Sequence, residues 1–188
     1  MKIKATPLKI PGMLALEHEP FRDGRGYFTE VYQRDEFRDA GLTEPFVQLN
    51  ESRSAQNVIR ALHFQWDPPM GKVMRVVEGA AFLVAVDLRH NSPTLGKWLG
   101  ETLTADTTRQ IWAPAGFARG ICALAPNTRV QYLCTAFWNG NTDTGIRWDD
   151  PEIGIKWPIA SPVLSERDRH AQTLREWLSR AESKSFSL

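Results

Sequence analysis

The sequence predicts an all-β barrel or jelly roll, and three observations carry that expectation. Runs rich in Val, Ile, Leu and aromatic residues recur through residue 160, each bounded by turn signals. Helical periodicity is confined to two short places. No repeat, low-complexity stretch or Pro/Ser-rich linker divides the 188 residues, a length that suits one domain, 1–188, around a single core. Many short strands with few helices fit sheets closed on one another.

In chain order, Gly26 to Tyr32 and Val58 to Gln65 are the first strand candidates. Lys72 to Val77 and Ala80 to Leu88 follow, and the intervening Glu78-Gly79 predicts a hairpin between them. Trp98 to Leu103, Arg109 to Ala113, Ala118 to Leu124 and Arg129 to Phe137 complete the set. Arg34 to Ala40 is a short helix that Gly41 stops. A second helix begins at Ser165, whose spacing to Asp168 resembles a capping box. It runs to about residue 182 with Leu174, Trp177 and Leu178 on one apolar face, packed outside the sheet. Pro151 and Pro158, each ending a Trp-containing stretch, interrupt regular structure before it.

Lys and Arg number 23 against 22 Asp and Glu, a formal charge of +1. No broad cationic field therefore exists for nucleic acid or a membrane surface, and a bound anion must be met locally. The opening residues lack the apolar core of a secretory signal, and the run Ala80 to Val86 is far short of the ~18 residues a spanning helix needs. The expectation is a cytoplasmic protein. Cys122 and Cys134 form no Cys-x-x-Cys pair, so two buried thiols are expected rather than a disulfide framework or zinc ribbon.

The histidines are four: His18, His63, His90 and His170. A metal-binding jelly roll generally needs two imidazoles on one strand plus a carboxylate, and His63-Phe64-Gln65 supplies one, which argues against metal catalysis. Period-two alternation along Ile59 to Gln65 puts Ala61, His63 and Gln65 on one face and Leu62 and Phe64 on the other, so a polar face lining a barrel interior follows. Taken alone, a strand histidine is more often a hydrogen-bonded structural residue than a base.

The segments Phe21 to Glu30, Gln48 to Ser52, Arg60 to Gln65, Gly71 to Val73, Val86 to Arg89, Pro114 to Ala118, Ile146 to Pro151 and Ser165 to Asp168 change that balance. In this order, from about Leu16 to Leu174, they resemble the motif series of the dTDP-4-dehydrorhamnose 3,5-epimerase family. The resemblance implies a cupin-type jelly roll (double-stranded β-helix) with a few short peripheral helices. It implies a homodimer that uses no metal and no organic cofactor and acts on a nucleotide-diphosphate-linked 4-keto-6-deoxy sugar. The chemistry is removal and return of a proton beside a ketone.

Residue by residue, the resemblance implies that His63 is the base and Asp168 the carboxylate that orients it, although Asp168 could equally cap a helix. Lys72 matches the cation beside the C4 oxygen, and Tyr132 the proton donor on the opposite face. Trp138 stands where a tyrosine commonly stacks on the nucleobase. Arg25, Arg60 and Arg167 match contacts to diphosphate or sugar, with Arg167 in place of lysine, and guanidinium groups can grip phosphate at two points. Glu30, Gln48, Asn50 and Asp143 match positions that hold nucleoside or sugar.

Three positions depart from the pattern. Arg119 replaces the histidine of an Ala-His-Gly motif, Leu83 replaces the aspartate that pairs with it, and Ala61 replaces a glycine, adding a methyl near the expected site. Loss of both members of a pair reads as coordinated reshaping, since neither is left buried alone. Arg119 is expected to place a permanent cation beside the sugar or phosphate, altering the substrate or carbon chosen; repulsion of Lys72 or steric blockage is the competing outcome. The alternatives to an epimerase are a catalytically silent nucleotide-sugar-binding jelly roll and a metal-dependent cupin enzyme.

Overall fold

The computed structural model describes residues 3–187. The larger of two antiparallel sheets has the spatial order β1 (Lys4–Pro7), β2 (Leu14–Glu17), β10 (Gln110–Ala113), β7 (Lys72–Glu78), β12 (Thr128–Cys134), β5 (Gln48–Ser54). The second runs β13 (Asp143–Gly145), β6 (Ile59–Gln65), β11 (Phe117–Ala123), β8 (Ala80–Asp87), β9 (Trp98–Thr104). From β5 onward every consecutive pair except β8 and β9 lies in opposite sheets, which is the winding of a jelly roll. A separate hairpin joins β3 (Phe21–Asp23) to β4 (Gly26–Phe28).

The predicted hairpin between the runs at Lys72 and Ala80 does not form, because β7 and β8 belong to different sheets. Gly79 (φ 73°) carries the chain across, and a Cβ there would lie 2.9 Å from Thr128 Oγ1. β8 is covered on both faces. Ala81, Leu83 and Ala85 join the core between the sheets, with Met74 and Ile111 from the larger sheet, while Val84 and Val86 enter an outer cluster. A strand buried on both sides reads as an unbroken apolar run that does not reveal its partner.

Other strands fall within a few residues of expectation, but the run at Gly26 ends at Phe28 rather than Tyr32. β1, β2, β3, β5 and β13 were not expected. β5, Gln48-Leu49-Asn50-Glu51-Ser52-Arg53-Ser54, is a polar edge strand paired only with β12, so it lacks an apolar signature.

The first helix, α1 (Arg34–Asp39), starts with the Gln33 side chain accepting from the Glu36 amide and ends at Gly41, whose φ is 96°. The C-terminal helix expected from Ser165 to about residue 182 is three pieces: α2 (Glu166–Arg169), α3 (Leu174–Ser179) and a 3₁₀ turn (Ala181–Phe186). The break has a physical cause. Gln172 forms a bridge to Ile146, its carbonyl accepting from Arg147 N–H at 2.8 Å, and Thr173 with Glu176 then builds a capping box for a new helix. Leu174 and Trp177 are buried as expected, and Trp177 meets Phe64 of β6 edge-on at 4.7 Å between ring centroids. The C-terminal segment thus clamps the outer face of the sheet that carries His63.

Trp177→Ala is expected to cost about 3–5 kcal/mol, as large-to-small changes at buried aromatic sites do. Guanidinium unfolding measures it. A loss below about 1 kcal/mol would show that this ring does not fasten the segment.

Candidate active site

β6 carries His63 into the mouth of the sandwich by a route that simple alternation misses. Arg119 of β11 pairs with His63, yet Ile121 pairs with Arg60, so three steps along β6 oppose two along β11. The extra residue reverses the alternation. Arg60 thereby lines the same cavity as His63, while Ala61, expected on the His63 face, packs in the outer cluster with Ile59, Leu62 and Phe64. Its methyl group does not line the cavity. Gln65 is also withdrawn, donating to the carbonyls of Pro68 and Phe137 and accepting from Asn139 N–H.

His63 Nε2 lies 2.6 Å from Asp168 Oδ1. An ionised carboxylate only accepts, so Nε2 donates and Nδ1 is the basic nitrogen of the neutral ring. The Ser165 hydroxyl accepts from the Asp168 amide at 3.1 Å, so the helix cap forms, but the Asp168 carboxylate turns to His63. Both readings of Asp168 therefore hold together. Burial pushes this carboxyl up; hydrogen bonds from His63 and the Ser165 hydroxyl, with the charges of His63 and Arg167, outweigh it and hold the group below its usual range. Gly145 of β13, paired with His63, keeps the ring's place open: a Cβ there would stand 3.2 Å from His63 Cδ2.

The cavity wall opposite β6 comes from the larger sheet. Lys72, opening β7, lies over the Tyr132 ring of β12, Nζ 5.2 Å from its centroid. Burial, then the nearby Arg119 charge, lowers the Lys72 ammonium to about 8. Burial also raises the Tyr132 phenol, keeping it a hydroxyl able to give a proton. His63, Lys72, Tyr132, Arg60 and Arg119 all line this cavity, together with Ser52, Met74 and Ile121. Those last three were not expected. Ser52 and Met74 lie two residues beyond Asn50 and Lys72 on their strands, so strand alternation could have found them.

Arg119 departs from expectation. It is 4% exposed, and its guanidinium donates to the carbonyls of Phe117, Met70, Ala113 and Pro114 at 2.6–2.9 Å. The cation is built into the cavity wall, its buried donors met by four backbone carbonyls in place of a carboxylate. Leu83 lies in the core between the sheets.

A second cleft adjoins the first across His63 and is lined by Asp143, Arg167, Asp168, His170 and Arg180. Asp143 Oδ2 accepts from Arg167 at 2.9 Å and from the Trp138 indole N–H at 3.2 Å. Trp138 is 61% exposed, its amide donating to Gln48 Oε1, whose Nε2 donates to Asn50. A Cβ on Gly140 would lie 2.8 Å from the indole, so glycine lets the ring settle close to the backbone. Arg25 and Glu30 are not brought to either cleft. Arg25 is on the exposed β3–β4 hairpin, paired with Asp23 at 2.5 Å, and Glu30 lies near His18. Among the described residues no three His, Cys, Asp or Glu side chains converge to hold a metal ion, and no helix is long and apolar enough to cross a membrane.

A jelly roll whose mouth joins a carboxylate-held histidine, a phenol and an ammonium is the frame of a cupin-fold acid–base enzyme. The model of the dTDP-4-dehydrorhamnose 3,5-epimerase family matches residues 7–176, and the chain belongs to that family. A dTDP-4-dehydrorhamnose 3,5-epimerase of Methanothermobacter thermautotrophicus is 45% identical over 170 residues, 89% of this chain and 92% of the relative. The crystal structure of a dTDP-6-deoxy-D-glucose-3,5-epimerase of Legionella pneumophila with dTDP-4-keto-L-rhamnose superposes at a TM-score of 0.91, with 36% identity over 96% of each chain. A dTDP-4-dehydrorhamnose 3-epimerase of Streptomyces niveus is 36% identical over 93% of this chain and 85% of its own.

The depressed Asp168 carboxyl ties stability to pH. A folded value below the unfolded one gives stabilisation that is complete above about pH 4, the unfolded carboxyl range, and fades as acid passes through the folded value. Asp168→Asn removes it, at a cost of about 1–3 kcal/mol near neutrality. The gap between the unfolding free energies of the two proteins should stay level from about pH 7 to about pH 4 and close as the pH falls further; a gap that persists in strong acid would contradict the pairing.

Proposed function

We propose that this chain inverts a carbon beside the C4 ketone of a dTDP-linked 4-keto-6-deoxy sugar, at C3, C5 or both. Family membership supports the substrate class, and the single observation that carries the chemistry is the 2.6 Å bond between His63 and Asp168 at the cavity mouth. In this reading His63 Nδ1 takes the proton from the carbon next to the carbonyl. The bond's electron pair becomes the C=C of an enolate, and negative charge moves to the C4 oxygen near Lys72. Tyr132 gives a proton to the opposite face, so the centre returns inverted. Asp168 steadies the imidazolium and fixes its tautomer.

The remaining residues position the nucleotide. Arg60 and Arg167 offer guanidinium groups to the diphosphate, and Trp138 offers an exposed π-face to the base. Gln48, Asn50 and Asp143 orient that rim through their hydrogen bonds. No metal or organic cofactor enters this scheme, because an α-keto C–H is acidified by its own carbonyl.

Incubation with dTDP-4-keto-6-deoxyglucose in deuterated water tests the reading. Wild type should place deuterium at C3 or C5, and His63→Asn should lower that exchange at least ~100-fold, the size of a general-base contribution. Absence of exchange with wild type, or an undiminished His63→Asn, overturns it.

We also propose a homodimer, in the cytoplasm, in which the β3–β4 hairpin of one copy completes the rim of the other. Phe21, Tyr27 and Phe28 on the hairpin are 51–68% exposed, and Arg25 at its tip reaches neither cleft of its own chain. Sedimentation should find a dimer, and Phe28→Glu should yield monomers with weakened substrate binding. A fully active wild-type monomer would contradict it.

A further inference from the structure

Two cations approach each other in the cavity, Lys72 on β7 of the larger sheet and the Arg119 guanidinium reaching over from β11 of the second to the Ala113 carbonyl of β10. Among the described residues neither forms an ion pair with a carboxylate in the way buried charges usually do. The acceptors that hold the Arg119 guanidinium are all backbone carbonyls, and its Nε is buried with no hydrogen-bond partner. One of those carbonyls belongs to Ala113, the residue that faces Lys72 across the β10–β7 ladder. The same ladder system places Cys134 opposite Lys72 on its other side. Arg119 thus stands behind Lys72 at a fixed position.

Resting on the epimerase reading above, we infer that Arg119 is a positioning residue for the reaction: its fixed charge, added to the burial of the site, helps make Lys72 a proton donor to the C4 oxygen, not only an electrostatic neighbour of it. The step balances. His63 Nδ1 accepts the C–H proton, the C–H pair forms the C=C bond, the carbonyl π pair moves to oxygen, and that oxygen takes a proton from Lys72 Nζ. A neutral enol and a neutral amine result, and the amine recovers its proton from the enol O–H as the carbon is reprotonated. A lysine of ordinary basicity gives up its proton less readily to such an oxygen; a neighbouring cation weakens its hold.

The surroundings of Lys72 favour this assignment. Arg119 from β11 and Arg167 from α2 disfavour its charge, while Cys134 from β12 and Asp143 from β13 favour it, and burial acts with the arginines to bring the ammonium down to about 8. Tyr132 offers its ring face from β12, and His63 and Arg60 from β6 line the same space. Arg119 itself is lowered by burial to about 9, which leaves it cationic at neutral pH. Leu83, facing Ile121 two residues along from Arg119, contributes hydrocarbon to the core between the sheets and no countercharge. Lys72 must be protonated to donate, so activity should fall as pH rises through its titration.

The test follows Lys72 directly by NMR of protein carrying ¹³Cε-labelled lysine, its signal being the one missing from Lys72→Arg, alongside the pH profile of deuterium exchange. In wild type both should turn near pH 8. Arg119→Gln, which keeps donors for the carbonyls but loses the charge, should move both upward by about one unit, and Arg119→Lys should restore them. Should Arg119→Gln not fold, Arg119→Met, of similar length and without charge, provides the comparison and the same upward shift. A wild-type Lys72 titrating at its ordinary value, or a folded variant in which the titration stays put, overturns the inference. The NMR titration needs no substrate, so it stands apart from failure of the exchange reaction itself.

Discussion

The site depends on one hydrogen bond between residues 105 apart in sequence, His63 Nε2 and Asp168 Oδ1. The bond is strong only because both partners are held. His63 is fixed by β11 on one side and β13 on the other. Asp168 is fixed by a helical turn capped at Ser165, and the chain just beyond it is tied back to β13 through Gln172, whose amide donates to Thr144 Oγ1 and the Gly145 carbonyl. Asp150 accepts the first amide of α3 at 2.8 Å, closing the same strap. Base and carboxylate are therefore referenced to one strand, which keeps their separation insensitive to motion elsewhere.

The jelly roll supplies the other half of the geometry. Its two sheets hold the His63 imidazole on β6 and the Lys72 ammonium and Tyr132 phenol on β7 and β12 on facing walls, which in the proposed reaction lets deprotonation and reprotonation occur from opposite sides of a planar enolate. Burial then sets charge states. Tyr132 stays neutral because its phenolate would be desolvated, and Lys72 is loosened by the same cause with Arg119 adding to it. A nearly neutral protein thus gathers Arg60, Lys72 and Arg119 along one cleft and Arg167 in the cleft that adjoins it across His63, a local concentration of positive charge.

What the amino-acid sequence disclosed follows physical lines. β6, β11 and β12 carry branched and apolar residues that announce strands, and Gly41 and the Leu174–Trp177 face mark helices correctly. β5 and β13 carry polar residues on edges and were silent. The false hairpin at Gly79 arose because β8 is apolar on both faces, so nothing local chose between a neighbour in its own sheet and one across the core. The bulge opposite Arg119 was invisible for a similar reason: alternation is a local rule, whereas an inserted residue is a property of the pair. His63, Lys72, Tyr132 and Asp168 were legible as a set through the ordered motifs and not through any single residue, and Arg119 was recognisable as a departure although its burial was not.

The tautomer of His63 reports on its hydrogen bond to Asp168 without any substrate. In ¹⁵N-histidine spectra of the neutral ring, Nδ1 should be unprotonated and Nε2 should carry the proton, with Asp168→Asn erasing that preference. A His63 whose proton sits on Nδ1, or whose spectrum ignores the Asp168 change, would contradict it.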